Sequence, residues 1–181
     1  MTRLYLGALL TLSAILRFWR LDHPSNLVFD EIYYVDGARD LLSNGVEIKN
    51  GTGEFVVHPP LGKWLIAFGI RTFGDNPFGW RFSAALVGTI SVALIYLVAQ
   101  KLFSSDFIAL SAALLTTLDG LHLVMSRVAL LDIFLMALLL AAFLSFLIER
   151  LWLTALFLGS ALAVKWSALY FIISLIFYLA F

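Results

Sequence analysis

Residues 82–100 read FSAALVGTISVALIYLVAQ, a run without a single charged side chain. Its length is about that of the ~20 apolar residues an α-helix needs to cross the ~30 Å hydrocarbon core of a bilayer. Working outward, similar runs occupy Phe107 to about Ser126, Ile133 to Ile148, Leu151 to Val164 and Trp166 to Phe181, with one more, Leu4 to Leu16, near the amino end. Hydrophobic residues make up 62% of the chain, against roughly 45–50% in an ordinary soluble domain. The charged residues, 13% of the total, gather between the runs. The fold expected is therefore an all-α membrane protein with about six transmembrane helices. Several runs are shorter than a perpendicular span, so flanking residues must be drawn in, Arg150 and Lys165 reaching outward along their apolar stems.

The first run raises the question of a cleaved signal peptide. Arg17, Phe18, Trp19 and Arg20 follow it where cleavage would need small residues, so a retained helix is expected, with Trp19 and the arginines at the headgroup level. Residues 17–81 then form a large polar loop, read as folded because it contains helical signals. Glu31 to Ser43 has helical character and is closed by Asn44-Gly45, while Leu61, Trp64, Leu65 and Phe68 fall at helical spacing after Pro59-Pro60. The second of these short amphipathic helices is expected to lie flat on the membrane. Glu149-Arg150 followed by Trp152 reads as a tight helical hairpin, and Gly159, Ser160, Ala161 and Ala163 offer a small-residue surface for close helix contact. The last run reaches Phe181 with no polar anchor beyond it, so residues 1–181 read as the amino-terminal part of a longer polytopic domain.

The formal net charge is zero, so no basic field argues for a nucleic-acid partner. With no cysteine there is no thiolate metal site and no thiol nucleophile. If the spans alternate, the 17–81 loop, the turn from Asp119 to Asp132 and the turn at Lys165 emerge on one side of the membrane. Asp30, Glu31, His58, Arg81, Arg127, Asp132 and Lys165 then share one face. Each also has an ordinary structural explanation. Asp30 and Glu31 suit an N-cap and a first-turn acid, the single cations suit the interface, Asp132 suits an ion pair, and His58 suits a cap before a stiff Pro-Pro turn. Together, one or two carboxylates and several cations at a membrane surface suit transfer of a sugar from a lipid phosphate. The leaving group is already an acid and needs cations, whereas the incoming hydroxyl needs one general base.

Phe29-Asp30-Glu31, His58-Pro59-Pro60-Leu61-Gly62-Lys63, Arg81-Phe82-Ser83-Ala84, Ser126-Arg127-Val128-Ala129-Leu130-Leu131-Asp132 and Val164-Lys165-Trp166, in that order, resemble the dolichyl- or polyprenyl-phosphate-mannose protein O-mannosyltransferases of the type C glycosyltransferase fold. The resemblance implies an inverting transfer of mannose from polyprenyl-phosphate mannose to Ser or Thr hydroxyls of a polypeptide, with the lipid-linked sugar as substrate and no cofactor. It implies Asp30 as the base and Glu31 as a positioning acid, with His58, Arg81, Arg127, Asp132 and Lys165 about the donor phosphate and sugar and no metal ligand among them. It also places the first loop, and hence the active face, on the extracytoplasmic side of a bacterial plasma membrane, or of the endoplasmic reticulum in a eukaryote. The short amino terminus resembles the bacterial branch.

Two rivals stand beside it. Aminoarabinose transferases of the same fold also carry an acidic pair and a Pro-Pro motif, but with Lys where this chain has His58. A transporter would place charges at mid-span, where Asp119 and His122 are the only candidates.

Overall fold

The computed structural model describes residues 2–49, 52–53 and 57–180. Among these the chain is helical apart from one antiparallel ribbon, β1 (Ile48–Lys49) and β2 (Thr52–Gly53). Phe181, the end of the last apolar run, lies outside the described residues.

The first run is one continuous helix, α1 (Thr2–Phe18). The polar loop folds as expected into two helices. The first, α2 (Glu31–Asn44), stops where Gly45 takes φ 74°, a left-handed turn that glycine adopts without steric cost. The second, α3 (Leu61–Phe73), starts directly after Pro60. It buries Ile66, Ala67 and Ile70 and leaves Trp64 and Phe68 exposed. The uncharged run at residues 82–100 is the core of α4 (Pro77–Phe103), whose N-cap Asn76 accepts a hydrogen bond from Gly79 N–H.

The run from Phe107 to Ser126 is not one helix. It breaks into α5 (Asp106–Leu118) and α6 (Gly120–Met125), because Asp119 takes an extended backbone and its Oδ1 accepts from His122 N–H at 2.7 Å, capping α6. The later runs form α7 (Leu131–Leu147), α8 (Leu151–Val164) and α9 (Ala168–Ala180), with the α7–α8 hairpin turning at Glu149, φ 61°. Only α4 among the described residues is long and apolar enough by itself to cross a membrane; α5, α7, α8 and α9 are shorter apolar helices. Large apolar side chains cover the outside, among them Phe107, Leu115, Leu121, Leu151 and Phe177.

The small residues of α8 are used in part: Ala161 is fully buried, whereas a Cβ on Gly159 would meet nothing within 4 Å. A Cβ on Gly69 would instead lie 2.3 Å from the Gly79 carbonyl, and one on Gly88 would lie 2.3 Å from Ser126 Cβ. Glycine thus lets α3 and α6 approach α4.

Arg17 corrects another expectation. It does not reach the headgroups but is fully buried, donating to Ser13 Oγ at 2.7 Å, with Nη2 2.7 Å from His122 Nδ1. Trp19 does stay exposed. Because a guanidinium has only donors, His122 Nδ1 accepts, which leaves Nε2–H to donate to Ser91 Oγ, 2.9 Å away. Both ring nitrogens of His122 are thus bonded within the protein.

The polar loop sits on one end of the bundle. A core of Tyr34, Val35, Ile66, Trp80, Ala129, Leu131, Phe134 and Val164 joins α2 and α3 to α4, α7 and α8. The far end is tied by Thr2 Oγ1 donating to Asp106 Oδ2 at 2.7 Å.

Candidate functional site

Two neighbouring carboxylates begin α2 and are used in opposite ways. At Val28–Glu31 the chain folds back on itself: Glu31 N–H donates to the Val28 carbonyl at 3.1 Å, and Val28 N–H donates to Glu31 Oε2 at 2.9 Å. Phe29 between them takes φ 53°, an unfavourable left-handed conformation for a bulky residue, which turns the chain just before Asp30. Glu31 is directed inward and Asp30 is left half-buried at the surface of the loop.

Glu31 is fully buried and meets Arg81, also fully buried, in a two-point pair: Nε to Oε1 and Nη2 to Oε2, both 2.8 Å. The other Arg81 donors reach the carbonyls of Leu21 at 3.2 Å, Pro24 at 2.7 Å and Asn26 at 3.0 Å. Glu31 Oε1 also accepts from Ala129 N–H at 2.8 Å, tying in the turn before α7. Arg127, in that same turn, donates to the carbonyls of Leu16 at 2.7 Å, Arg17 at 3.0 Å and Arg20 at 3.3 Å, closing the open end of α1. The donors of Arg81 and those Arg127 bonds are thus taken up by the protein itself. Arg127 is not paired with Asp132.

Asp30 stands at the N-cap position of α2, yet its side chain caps nothing. Its carboxylate has no hydrogen-bond partner among the described residues. It lines a cavity of about 680 Å³ together with Tyr33, Tyr34, Asp40, Glu47, His58 and Lys63. His58 does not cap α3 either; its Nδ1 is buried without a partner, and its ring packs beside Tyr34, centroids 6.2 Å apart. Burial first, then the charges of Lys165 and Lys63, hold the His58 imidazolium below the usual histidine range, against the opposing pull of Asp132 and Asp30. These four charged groups, from four separate stretches of chain, therefore act on one imidazole. Lys165 leaves the end of α8 and donates to Asp132 Oδ1 at 2.7 Å, both side chains part-exposed. Beyond Asp132 lies an apolar groove of about 750 Å³ between α5, α6, α7 and α9, lined by Leu115, Met125, Met136, Leu139 and Phe143.

Of the seven residues singled out from sequence, Asp30, His58, Asp132 and Lys165 come together, whereas Glu31, Arg81 and Arg127 brace the loop against the bundle. Sequence reading passed over Lys63 and Tyr34. Lys63 pairs with Glu47, both nearly buried, and fixes the segment after α2 against α3. Tyr34 lies one helical turn after Asp30, a spacing that could have drawn notice. Among the described residues no three His or acidic side chains are grouped closely enough to hold a metal.

Comparison with known sequences follows the same segments. Two family models, both described as dolichyl-phosphate-mannose-protein mannosyltransferase, match residues 57–181 and 7–80. A polyprenol-phosphate-mannose–protein mannosyltransferase of Mycolicibacterium smegmatis is 39% identical over 90% of this chain and 38% of its own length. One of the same description from Mycobacterium tuberculosis is 40% identical over 80% of this chain and 28% of its own. A more distant relative is an undecaprenyl phosphate-α-4-amino-4-deoxy-L-arabinose arabinosyl transferase of Pseudomonas savastanoi, 38% identical over 48% of this chain and 16% of its own length. The chain thus spans well under half the length of these relatives.

Proposed function

The chain belongs to the dolichyl-phosphate-mannose-protein mannosyltransferase family, and from that premise we propose that it carries the base and part of the donor site of a polyprenyl-phosphate-mannose-dependent protein O-mannosyltransferase. The observation that supports this reading is the Asp30 carboxylate, without a hydrogen-bond partner among the described residues, on the cavity it shares with His58, whose imidazole also feels Asp132 and Lys165.

In this reading Asp30 accepts the proton of a Ser or Thr hydroxyl held in the polar cavity. The hydroxyl oxygen attacks the anomeric carbon from the face opposite the phosphate, the carbon–oxygen bond to phosphate breaks, and the configuration inverts. Lys165, helped by Lys63, offsets the charge gathering on the departing polyprenyl phosphate. Neutral His58 donates a hydrogen bond to substrate through one ring nitrogen. The apolar groove past Asp132 takes the first isoprene units. Glu31, Arg81 and Arg127 serve by holding the loop in place.

The six apolar runs, short as several are, then cross the membrane with flanking residues included, and the loop end faces outward from the cytoplasm. Because the chain lacks cysteine, single cysteines at Asp22 and Ser105 test this directly: labelling of both from one side would contradict the alternation. The functional test is the complete protein in liposomes with polyprenyl-phosphate mannose and a Ser/Thr-rich peptide. Mannosylated peptide is expected. Transfer to a lipid acceptor alone would favour the relationship to the aminoarabinose transferases instead.

A further inference from the structure

We propose that Tyr34 is a sugar-contacting residue: its hydroxyl, on the wall of the polar cavity it shares with Asp30 and His58, donates a hydrogen bond to a hydroxyl oxygen of the sugar carried by the lipid phosphate. The inference rests on the transferase reading above.

Position comes first. Tyr34 lies four residues after Asp30 in the opening turn of α2, its N–H donating to the Asp30 carbonyl at 3.2 Å, so both side chains leave the same side of the helix. Burial comes next. The residue is only 8% exposed, with its ring in the core beside Ile66 and against His58. A buried phenol normally finds a partner for its hydroxyl. Tyr96, equally buried, shows this with its OH 3.4 Å from Asp106 Oδ1. The Tyr34 hydroxyl has no such bond among the described residues, although it lines the cavity with Asp30 and His58.

The surrounding charges choose the ligand. Burial, then Asp30, then Asp132 push the Tyr34 phenol up to about 12, so it stays protonated and neutral and acts as a donor rather than a second base. Two nearby carboxylates repel a phosphate, whose natural partner here is Lys165. They attract the O–H groups of a neutral sugar, each of which donates to a carboxylate while accepting from the phenol. The Tyr34 phenol, the His58 imidazole and the Asp30 carboxylate on one cavity wall give donors and acceptors that suit the hydroxyls of a pyranose.

The test is Tyr34→Phe in the complete protein, which keeps the buried ring and removes one oxygen. The apparent KM for polyprenyl-phosphate mannose should rise about tenfold, the loss expected of one neutral hydrogen bond to substrate. Inhibition by sugar-free polyprenyl phosphate should be unchanged, and so should the acid limb of the pH profile. Weakened inhibition by the sugar-free lipid would move Tyr34 to the phosphate and overturn the proposal. A shifted acid limb would make it a positioning residue for Asp30, also overturning it, as would an unaltered KM. Inactive wild-type protein with this donor would fail the parent reading instead, so the two failures are told apart.

Discussion

Asp30 and Glu31 are chemically near-twins on adjacent residues, yet among the described residues of the loop Glu31 is fully buried and the Asp30 carboxylate has no hydrogen-bond partner. Around Glu31 every charge is answered: its two oxygens take up Arg81, Val28 N–H and Ala129 N–H, and Arg127 is bonded to three carbonyls of the α1 end. Around Asp30 the groups are left open: His58 Nδ1 has no partner, and the Lys165–Asp132 pair is part-exposed. A buried group without a partner costs free energy, so such openness persists where a ligand completes it. The difference teaches that two adjacent acids can meet opposite surroundings, Glu31 bound into a buried pair and the Asp30 carboxylate left without a hydrogen-bond partner among the described residues, as the proposed base requires.

The braced region should give the largest effect when broken. Glu31→Ala or Arg81→Ala leaves a fully buried, uncompensated charge and should cost roughly 3–5 kcal/mol. The expected outcome is loss of the folded protein in detergent, followed by thermal unfolding; a variant as stable as wild type would show that the pair does not hold the loop. Arg127→Ala removes charge-assisted bonds to carbonyls and should cost roughly 1.5–3 kcal/mol of stability. Donor dependence should hardly change, and a raised donor KM without loss of stability would move Arg127 into the open region.

In that region Lys165→Ala should raise the donor KM about tenfold, as for one charge-assisted contact, with little change in melting temperature because its pair is half in solvent. The smallest effect belongs to His58. Its imidazolium is held below the usual range, so the folded protein binds fewer protons there than the unfolded chain. The stability this gives is present above the ordinary histidine value of about 6.5 and is lost as pH falls below it. His58→Asn should therefore flatten the decline in melting temperature between about pH 6.5 and pH 5; an unchanged slope would assign the decline to other groups.

How much of this was legible in sequence follows from the range of each interaction. The helices α2, α4, α7 and α8 were readable because hydropathy, Gly45 and the Glu149 turn are local. The break at Asp119 was not, since a short acid inside an apolar run looks like a tolerated charge until its oxygen is seen to cap α6. That Asp30, Asp132 and Lys165 all act on His58 accords with the grouping expected from counting spans. Which charges would be bound up does not follow from that count. The fate of Glu31 depends on Arg81 and on a backbone N–H at Ala129, and that of Arg17 on His122, all distant in sequence. Periodicity carries no trace of such pairings, and for the same reason Tyr34 was passed over.

The most direct measurement sets the two acids side by side: mannosyl transfer and melting temperature of Asp30→Asn and Glu31→Gln in the complete protein. Asp30→Asn should keep the wild-type melting temperature and lose about 10²–10⁴-fold in turnover, while Glu31→Gln should melt markedly lower. Near-normal turnover by a well-folded Asp30→Asn protein would contradict the account.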